Sequence, residues 1–509
     1  MYLTKSNLKI AFFYLFFGHN NIKAILLRKD YINMENKNNG ILLHISSLYN
    51  KYGIGSFGKC AYEFVDYLYE NNQKFWQILP LGHTGYGDSP YQTYSIFAGN
   101  PYFIDLDILI EEGLLLENEI DYINDKFVDY GSLYNSRYNI LRKAYSRFDV
   151  NNKEYIQFIV DNNWVLDYSI FMTIKELNNF KSLENWKDKY RYDDKKIINE
   201  LFEKEKAKVN FWIFIQYKFH KQWLKLKEYA NKKGIKIIGD IPIYVPYDSV
   251  EVWAEPENFL LDESLNMLYV SGAPRDNMSK DGQIWGSPLY NYEYMKKNNY
   301  SWWVERIKRN LKMYDYLRID HFIGFDKFYM IDSKTRNVDD GKWGKGPGME
   351  LFNEVKKHVN GDFIIAEDLG NVTESVKKLV NDTGFYSMKV LQFDLNGDVN
   401  NPHNPINYYE KCICYTGTHD NPTLKEWLET LDFNRIRYIR NIVNEEDNDR
   451  IIDKLINILL DSKAGIIIIP MQDYLHLGSE GRMNKPGTSE NNWVWRLKND
   501  SLYRKISFK

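Results

Sequence analysis

Residues 315–325 read DYLRIDHFIGF, an apolar run interrupted by an arginine, an aspartate and a histidine. Alternate residues of a strand share a face, so Arg318 and Asp320 are expected to point one way and His321 the other. An arginine two residues from an aspartate on one face keeps that carboxylate ionised by charge attraction. A structural salt bridge would look the same in isolation, so the stretch takes its meaning from what repeats around it.

Seven further short apolar runs end in polar residues: GILLHIS from Gly40, FWQILPL from Phe75, IKIIGDIPIYV from Ile235, FIIAEDL from Phe363, KVLQFDL from Lys389, CICYTGTHD from Cys412 and GIIIIPMQD from Gly465. Helix-like amphipathic stretches such as GKCAYEFVDYLYENNQ and ESVKKLVND separate most of them. Continuous apolar strands alternating with helices imply a parallel sheet covered on both faces. Eight such units predict an α/β fold, a (β/α)8 TIM barrel. A minimal barrel takes about 250 residues. A chain of 509 residues must therefore carry large insertions on the rim. The largest is expected to be a mainly helical subdomain at about 108–210, with shorter loop insertions at about 246–300 and 474–495. All lie in one catalytic barrel assigned to residues 39–509.

The composition, 44% hydrophobic and 27% charged, suits a globular protein with a full core. A net charge of −3 offers no electrostatic case for nucleic acid or an anionic membrane surface. Aromatic residues reach 16%, with 40 tyrosines; codon bias contributes, and rings with polar tips also suit carbohydrate faces. Three cysteines, Cys60, Cys412 and Cys414, form no CxxC pair, and an odd number argues against a disulfide framework. A cytoplasmic setting is expected. The nine histidines show no metal-binding spacing. Near the amino terminus, KIAFFYLFFG falls far short of the roughly 18 to 20 apolar residues that span a bilayer. No small-residue cleavage site follows it. Residues 1–38 are expected to be an extension outside the fold, with Met34 an alternative start.

In a barrel of this kind, polar residues at the carboxyl ends of strands form the active site. The sequence places Asp240, Asp320, Glu367, Asp368, Asp420 and Asp473 at those ends. Glu367 closes an apolar strand, where desolvation raises a carboxyl pKa and suits it to general acid work. Two carboxyl groups flanking a scissile bond are what most glycosidases require, and a spacing of about 5 Å permits double displacement with retention.

From about Gly40 to Lys498 the chain resembles the 4-α-glucanotransferases, or amylomaltases, of glycoside hydrolase family 77. The matching segments are WQILPLGHTGYGDSPYQTYSIFAGNPYFIDL, GQIWGSPLY, LRIDHFIGF, AEDLG, YTGTHDN and GSEGRMNKPGTSENNWVWR. Each short motif alone would be weak, and their joint order is very specific. The resemblance implies that Asp320 is the nucleophile, Glu367 the general acid/base and Asp420 the transition-state stabiliser. It implies substrate contacts for Arg318, His419, Asp276, Tyr91, Asp240 and Trp285, and a supporting place for His321. The implied reaction passes a segment of an α-1,4-glucan to the 4-hydroxyl of glucose or of another α-1,4-glucan, through a covalent glucosyl-enzyme. It implies no metal or organic cofactor. Maltooligosaccharides are the expected partners, without nucleic acid or membrane, and the chain is expected to be a monomer or a weak homo-oligomer. A retaining α-glucan hydrolase with the same three acids, and a non-catalytic glucan-binding barrel, are the alternatives.

The chain departs from the family pattern at Arg275, where a second proline is usual, and at Asn277 and Met278, where aromatic residues are common. His83 replaces a proline, and Gly481 an alanine. None removes a catalytic carboxylate, so the departures bear on acceptor binding.

Overall fold

The computed structural model describes residues 38–499 apart from 86, 124–125, 276–280 and 396. Among the described residues twelve strands follow in order: β1 (Asn39–Leu42), β2 (Phe75–Gln77), β3 (Lys236–Ile241), β4 (Tyr269–Ala273), β5 (Gln283–Pro288), β6 (Tyr316–Ile319), β7 (Lys327–Asp332), β8 (Lys342–Lys345), β9 (Ile364–Ala366), β10 (Tyr386–Val390), β11 (Cys412–Tyr415) and β12 (Ile466–Pro470). Eight of them close a barrel in the order β1-β12-β11-β10-β9-β6-β3-β2. Chain order is thus kept around the barrel, as successive parallel strands with crossovers require. The eight runs read from the sequence are these eight strands. β10 begins at Tyr386, three residues before the run expected from Lys389.

Helices cover the barrel for the reason their spacing suggests. In Lys59–Glu70 the buried residues Ala61, Phe64, Val65 and Leu68 repeat at the spacing of one helical face. Between β2 and β3 the helices Tyr130–Ser146, Lys153–Asp161, Trp164–Leu177 and Lys195–Lys204 precede the long helix Lys206–Lys232. The connection from β10 to β11 is different: among its described residues only two 3-10 turns occur, Leu391–Phe393 and Pro405–Asn407.

The remaining strands form a second sheet that the sequence reading did not contain, in the order β5-β4-β7-β8. The hairpin β4–β5 leaves the barrel after β3 and the hairpin β7–β8 leaves after β6, and β4 pairs antiparallel with β7. These strands are short, and glycine breaks β4, β5 and β8, which hides their alternation. Gly272 is required where it stands, because a Cβ there would lie 2.2 Å from the Gln283 carbonyl oxygen.

The described residues divide into two compact units, one comprising Lys389–Arg482 with 38–40, the other Ile41–Met388 with 483–499. The first has its own core, in which Ile439, Ile442, Ile451, Leu455 and Leu459 pack with Cys412, Cys414, Ile467 and Ile469. Cys412 and Cys414 are thus core residues. Among the described residues no helix is long and apolar enough to cross a membrane.

Candidate active site

In the larger unit the barrel register builds a row of charges. Asp240 of β3 is the direct partner of Arg318 of β6, so the two side chains share a face. Arg318 Nη1 donates to Asp240 Oδ2 at 2.6 Å and Nη2 to Asp320 Oδ1 at 2.8 Å. One guanidinium thus holds two carboxylates in fixed positions. Burial disfavours the Arg318 charge, but Asp240 and Asp320 outweigh burial and hold its pKa above the ordinary arginine value. Asp240 is 1% exposed, and its Oδ2 also accepts from the Tyr91 hydroxyl at 2.7 Å. The Tyr91 ring packs against Trp493, with centroids 5.9 Å apart.

Strand pairing continues past the strand ends and fixes the next two acids. The Asp320 N–H donates to the Ile241 carbonyl at 2.9 Å, the Glu367 N–H to Ile319 at 3.1 Å, and the Phe322 N–H to Glu367 at 3.0 Å. Glu367 is buried, and its carboxyl is held from the backbone: Oε2 accepts from the His321 N–H at 2.7 Å and Oε1 from the Leu369 N–H at 3.1 Å. Burial pushes the Glu367 pKa up to about 8, the Asp320 charge pushes the same way, and Arg318 opposes them. This is the desolvated acid expected from the end of an apolar strand.

His321 does not follow the strand alternation expected for it. β6 stops at Ile319, and His321 takes a left-handed conformation, φ 50° and ψ 47°. Its ring meets Trp285 edge-on with centroids 4.6 Å apart, and Trp285 in turn lies 6.1 Å from Tyr244. Burial lowers the His321 pKa to about 4, against the pull of Asp320, so the imidazole is neutral near pH 7.

Two acids read at strand ends serve the scaffold. Asp368 Oδ1 accepts from the Met388 N–H at 2.7 Å, bracing β10. In the unit formed by Lys389–Arg482, Asp473 accepts from the Thr416 hydroxyl and from the Leu424 N–H, both at 2.6 Å. That second bond holds the start of the helix Leu424–Thr430. In the same unit the TGTHDN turn is closed by Asn421 Oδ1, which accepts from the Thr418 N–H and hydroxyl at 2.9 Å. His419 Nε2 stands 3.3 Å from Asp420 Oδ2. Asp276, Asn277 and Met278 lie outside the described residues. The backbone donors on Glu367 escaped the sequence reading, because no residue type encodes them.

A parallel barrel with acids at its strand ends is the layout of a barrel enzyme. Comparison with known proteins specifies which. Residues 43–502 match the family model described as 4-alpha-glucanotransferase, glycoside hydrolase family 77. A 4-alpha-glucanotransferase of Clostridium butyricum is 46% identical over 479 residues, covering 92% of this chain and 98% of its own. One of Streptococcus pneumoniae is 41% identical over 478 residues, covering 92% and 95%. The structure of amylomaltase from Streptococcus agalactiae in complex with acarbose superposes with a TM-score of 0.88 at 40% identity, covering 92% of this chain and 98% of that one. The chain belongs to the 4-alpha-glucanotransferase family, glycoside hydrolase family 77. It is a transglycosylase that transfers segments of α-1,4-glucans and acts on maltooligosaccharides.

Proposed function

We propose that Asp320 is the nucleophile of this transfer and Glu367 its acid/base. The observation that carries the reading is the contrast between neighbours: Asp320 is paired with Arg318, while burial keeps a proton on Glu367 up to about pH 8. Asp320 attacks the anomeric carbon of an α-1,4-glucan. The new C1–Oδ bond forms as the glycosidic C1–O bond breaks, and the departing oxygen takes its proton from Glu367. The first fragment leaves. The 4-hydroxyl of glucose or of another glucan then attacks C1, gives its proton to Glu367, and releases Asp320. Each step is a displacement or proton transfer by a side chain, so the mechanism calls for neither metal nor organic cofactor.

Arg318 orients Asp320, and Asp240, being buried, acts through Arg318. Tyr91 and Trp285 supply rings for sugar faces. On the resemblance of their motifs, Asp420 stabilises the transition state, and His419 and Asp276 contact sugar. Cytoplasmic residence suits the odd count of three cysteines.

The test uses Glu367→Gln with α-maltosyl fluoride, whose fluoride departs without protonation. The variant should form the glycosyl-enzyme and release it slowly, and peptide mapping by mass spectrometry should place the maltosyl ester on Asp320. An ester on another carboxyl overturns the assignment.

A further inference from the structure

The carboxyl of Glu367 is tied at both oxygens, and the two ties differ. The His321 N–H reaches Oε2 at 2.7 Å and the Leu369 N–H reaches Oε1 at 3.1 Å. The shorter bond exists because residue 321 is left-handed, with φ at 50°. For a residue with a Cβ this conformation is uncommon, and it persists only where the surroundings impose it. Here they do: the ring is packed against Trp285, and a Cβ on Gly324 would lie 3.2 Å from its Cδ2. The same turn follows directly on Asp320, so one bend of the chain places both the nucleophile candidate and the amide that faces the acid.

We infer that His321 is a positioning residue that works through its backbone, its N–H fixing Oε2 of Glu367 as the unprotonated oxygen so that Oε1 carries and delivers the proton. This rests on reading Glu367 as the acid/base. A carbonyl oxygen accepts the short bond, whereas a hydroxyl oxygen tolerates the longer one from Leu369. When the glycosidic bond breaks, the Oε1–H bond breaks with it and the proton passes to the leaving oxygen. The carboxylate so formed accepts both amides as charge-assisted bonds, so two fixed donors stabilise the charge as it develops. Among the described residues the charged groups facing Glu367 are Asp320 and Arg318 from the end of β6 and Asp368 beside it; His321 is the neutral neighbour.

Replacing His321 by its α-hydroxy acid analogue, through nonsense suppression, removes the N–H and keeps the side chain. The ratio of the rate with maltotriose to the rate with α-maltosyl fluoride should fall about 10- to 100-fold, the range of one hydrogen bond to a charged group. The alkaline limb of kcat/KM for maltotriose should move to higher pH, because the lost donor favours the ionised form. His321→Asn, which tolerates the left-handed region, should keep the limb in place, and His321→Val should move it as the ester does. An ester variant with an unmoved limb and an unchanged ratio overturns the inference, and so does an equal slowing of both donors. Failure of the underlying reading shows separately, as undiminished maltotriose turnover by Glu367→Gln.

Discussion

His83 replaces the proline usual in this family, and its surroundings make a pH-dependent prediction. The ring is 2% exposed. Nδ1 lies 2.7 Å from the Tyr168 hydroxyl and Nε2 lies 2.8 Å from that of Tyr138. It thus joins the loop after β2 to two helices, Tyr130–Ser146 and Trp164–Leu177. Substituting His83→Leu removes the imidazole partner of both hydroxyls. Two buried bonds at about 1 kcal/mol each, with part of a desolvation penalty, give a loss of about 2 to 3 kcal/mol at pH 7.5. Tyr138 and Tyr168 keep contacts with Tyr102 and Gln216, which argues for the lower end. Burial, with Lys175 adding to it, depresses the folded-state pKa of His83 to about 3. A neutral histidine stabilises fully above the unfolded pKa of about 6.5, and that stability drains away as pH falls toward the folded value. Each pH unit below about 6.5 therefore removes about 1.4 kcal/mol from the parent and nothing from His83→Leu. At pH 4.5 this amounts to about 3 kcal/mol, so the two proteins should become equally stable. Other buried histidines, such as His220 and His403, titrate in both proteins and cancel. Thermal unfolding at pH 7.5 and 4.5 measures the difference. A gap of the same size at both pH values would refute the buried, neutral histidine clamp.

Asp320→Asn should lower transfer by at least about 10⁴-fold, as loss of a nucleophile does, with a melting temperature close to that of the parent. Near-normal activity of the purified variant would remove Asp320 from the chemistry. The kcat/KM of the parent on maltotriose should fall as pH rises through about 8, where Glu367 loses its proton; a profile flat to pH 10 would contradict the acid role. Asn277→Tyr with Met278→Phe should raise the ratio of transfer to hydrolysis severalfold, read from the maltotriose product ladder, and an unchanged ratio would free this loop of acceptor selection.

The barrel was legible because its strands are buried on both faces and so read as unbroken apolar runs, IIII in β12 and ICY in β11 being the clearest. The misplaced start of β10 has the same cause in reverse: Tyr386 and Ser387 lack the apolar continuity of the residues after them. The antiparallel sheet was not legible because Gly272, at a close approach, and Gly286, with φ at 78°, interrupt two of its strands, and a glycine in sequence reads as a turn. Acids at strand ends were legible as a set from the strand pattern, whereas their division came only from the motifs that resemble the family. Asp368 and Asp473 accept backbone N–H groups from segments distant in sequence. By position at a strand end they look the same as Asp320; the tertiary pairing shows what Asp368 and Asp473 hold.

What favours a sugar over water as acceptor has to lie outside the acid pair, because a hydrolase would use the same two carboxyls. Water at about 55 M competes with sugar at millimolar levels, so transfer demands a preference on the order of ten-thousand-fold, or roughly 5 to 6 kcal/mol at the second barrier. No single hydrogen bond supplies this, whereas orientation of a 4-hydroxyl together with ring contact does. Arg275, where proline is usual, forks onto Asp339, Nε to Oδ1 at 2.8 Å and Nη2 to Oδ2 at 3.1 Å. Both side chains are more than half exposed, 55% and 58%, so the pair adds little to stability. Its effect is positional, since a bidentate fork fixes direction where a proline would fix only a backbone angle. It ties the residue before Asp276 to the 3-10 turn Val338–Asp340 that precedes β8. Changing Asn277 and Met278 with Arg275 left in place, and Arg275→Pro with the loop left in place, should each be read from the maltotriose product ladder: a shift in the ratio of transfer to hydrolysis in only one of the two variants assigns acceptor selection to the loop side chains or to the charged anchor.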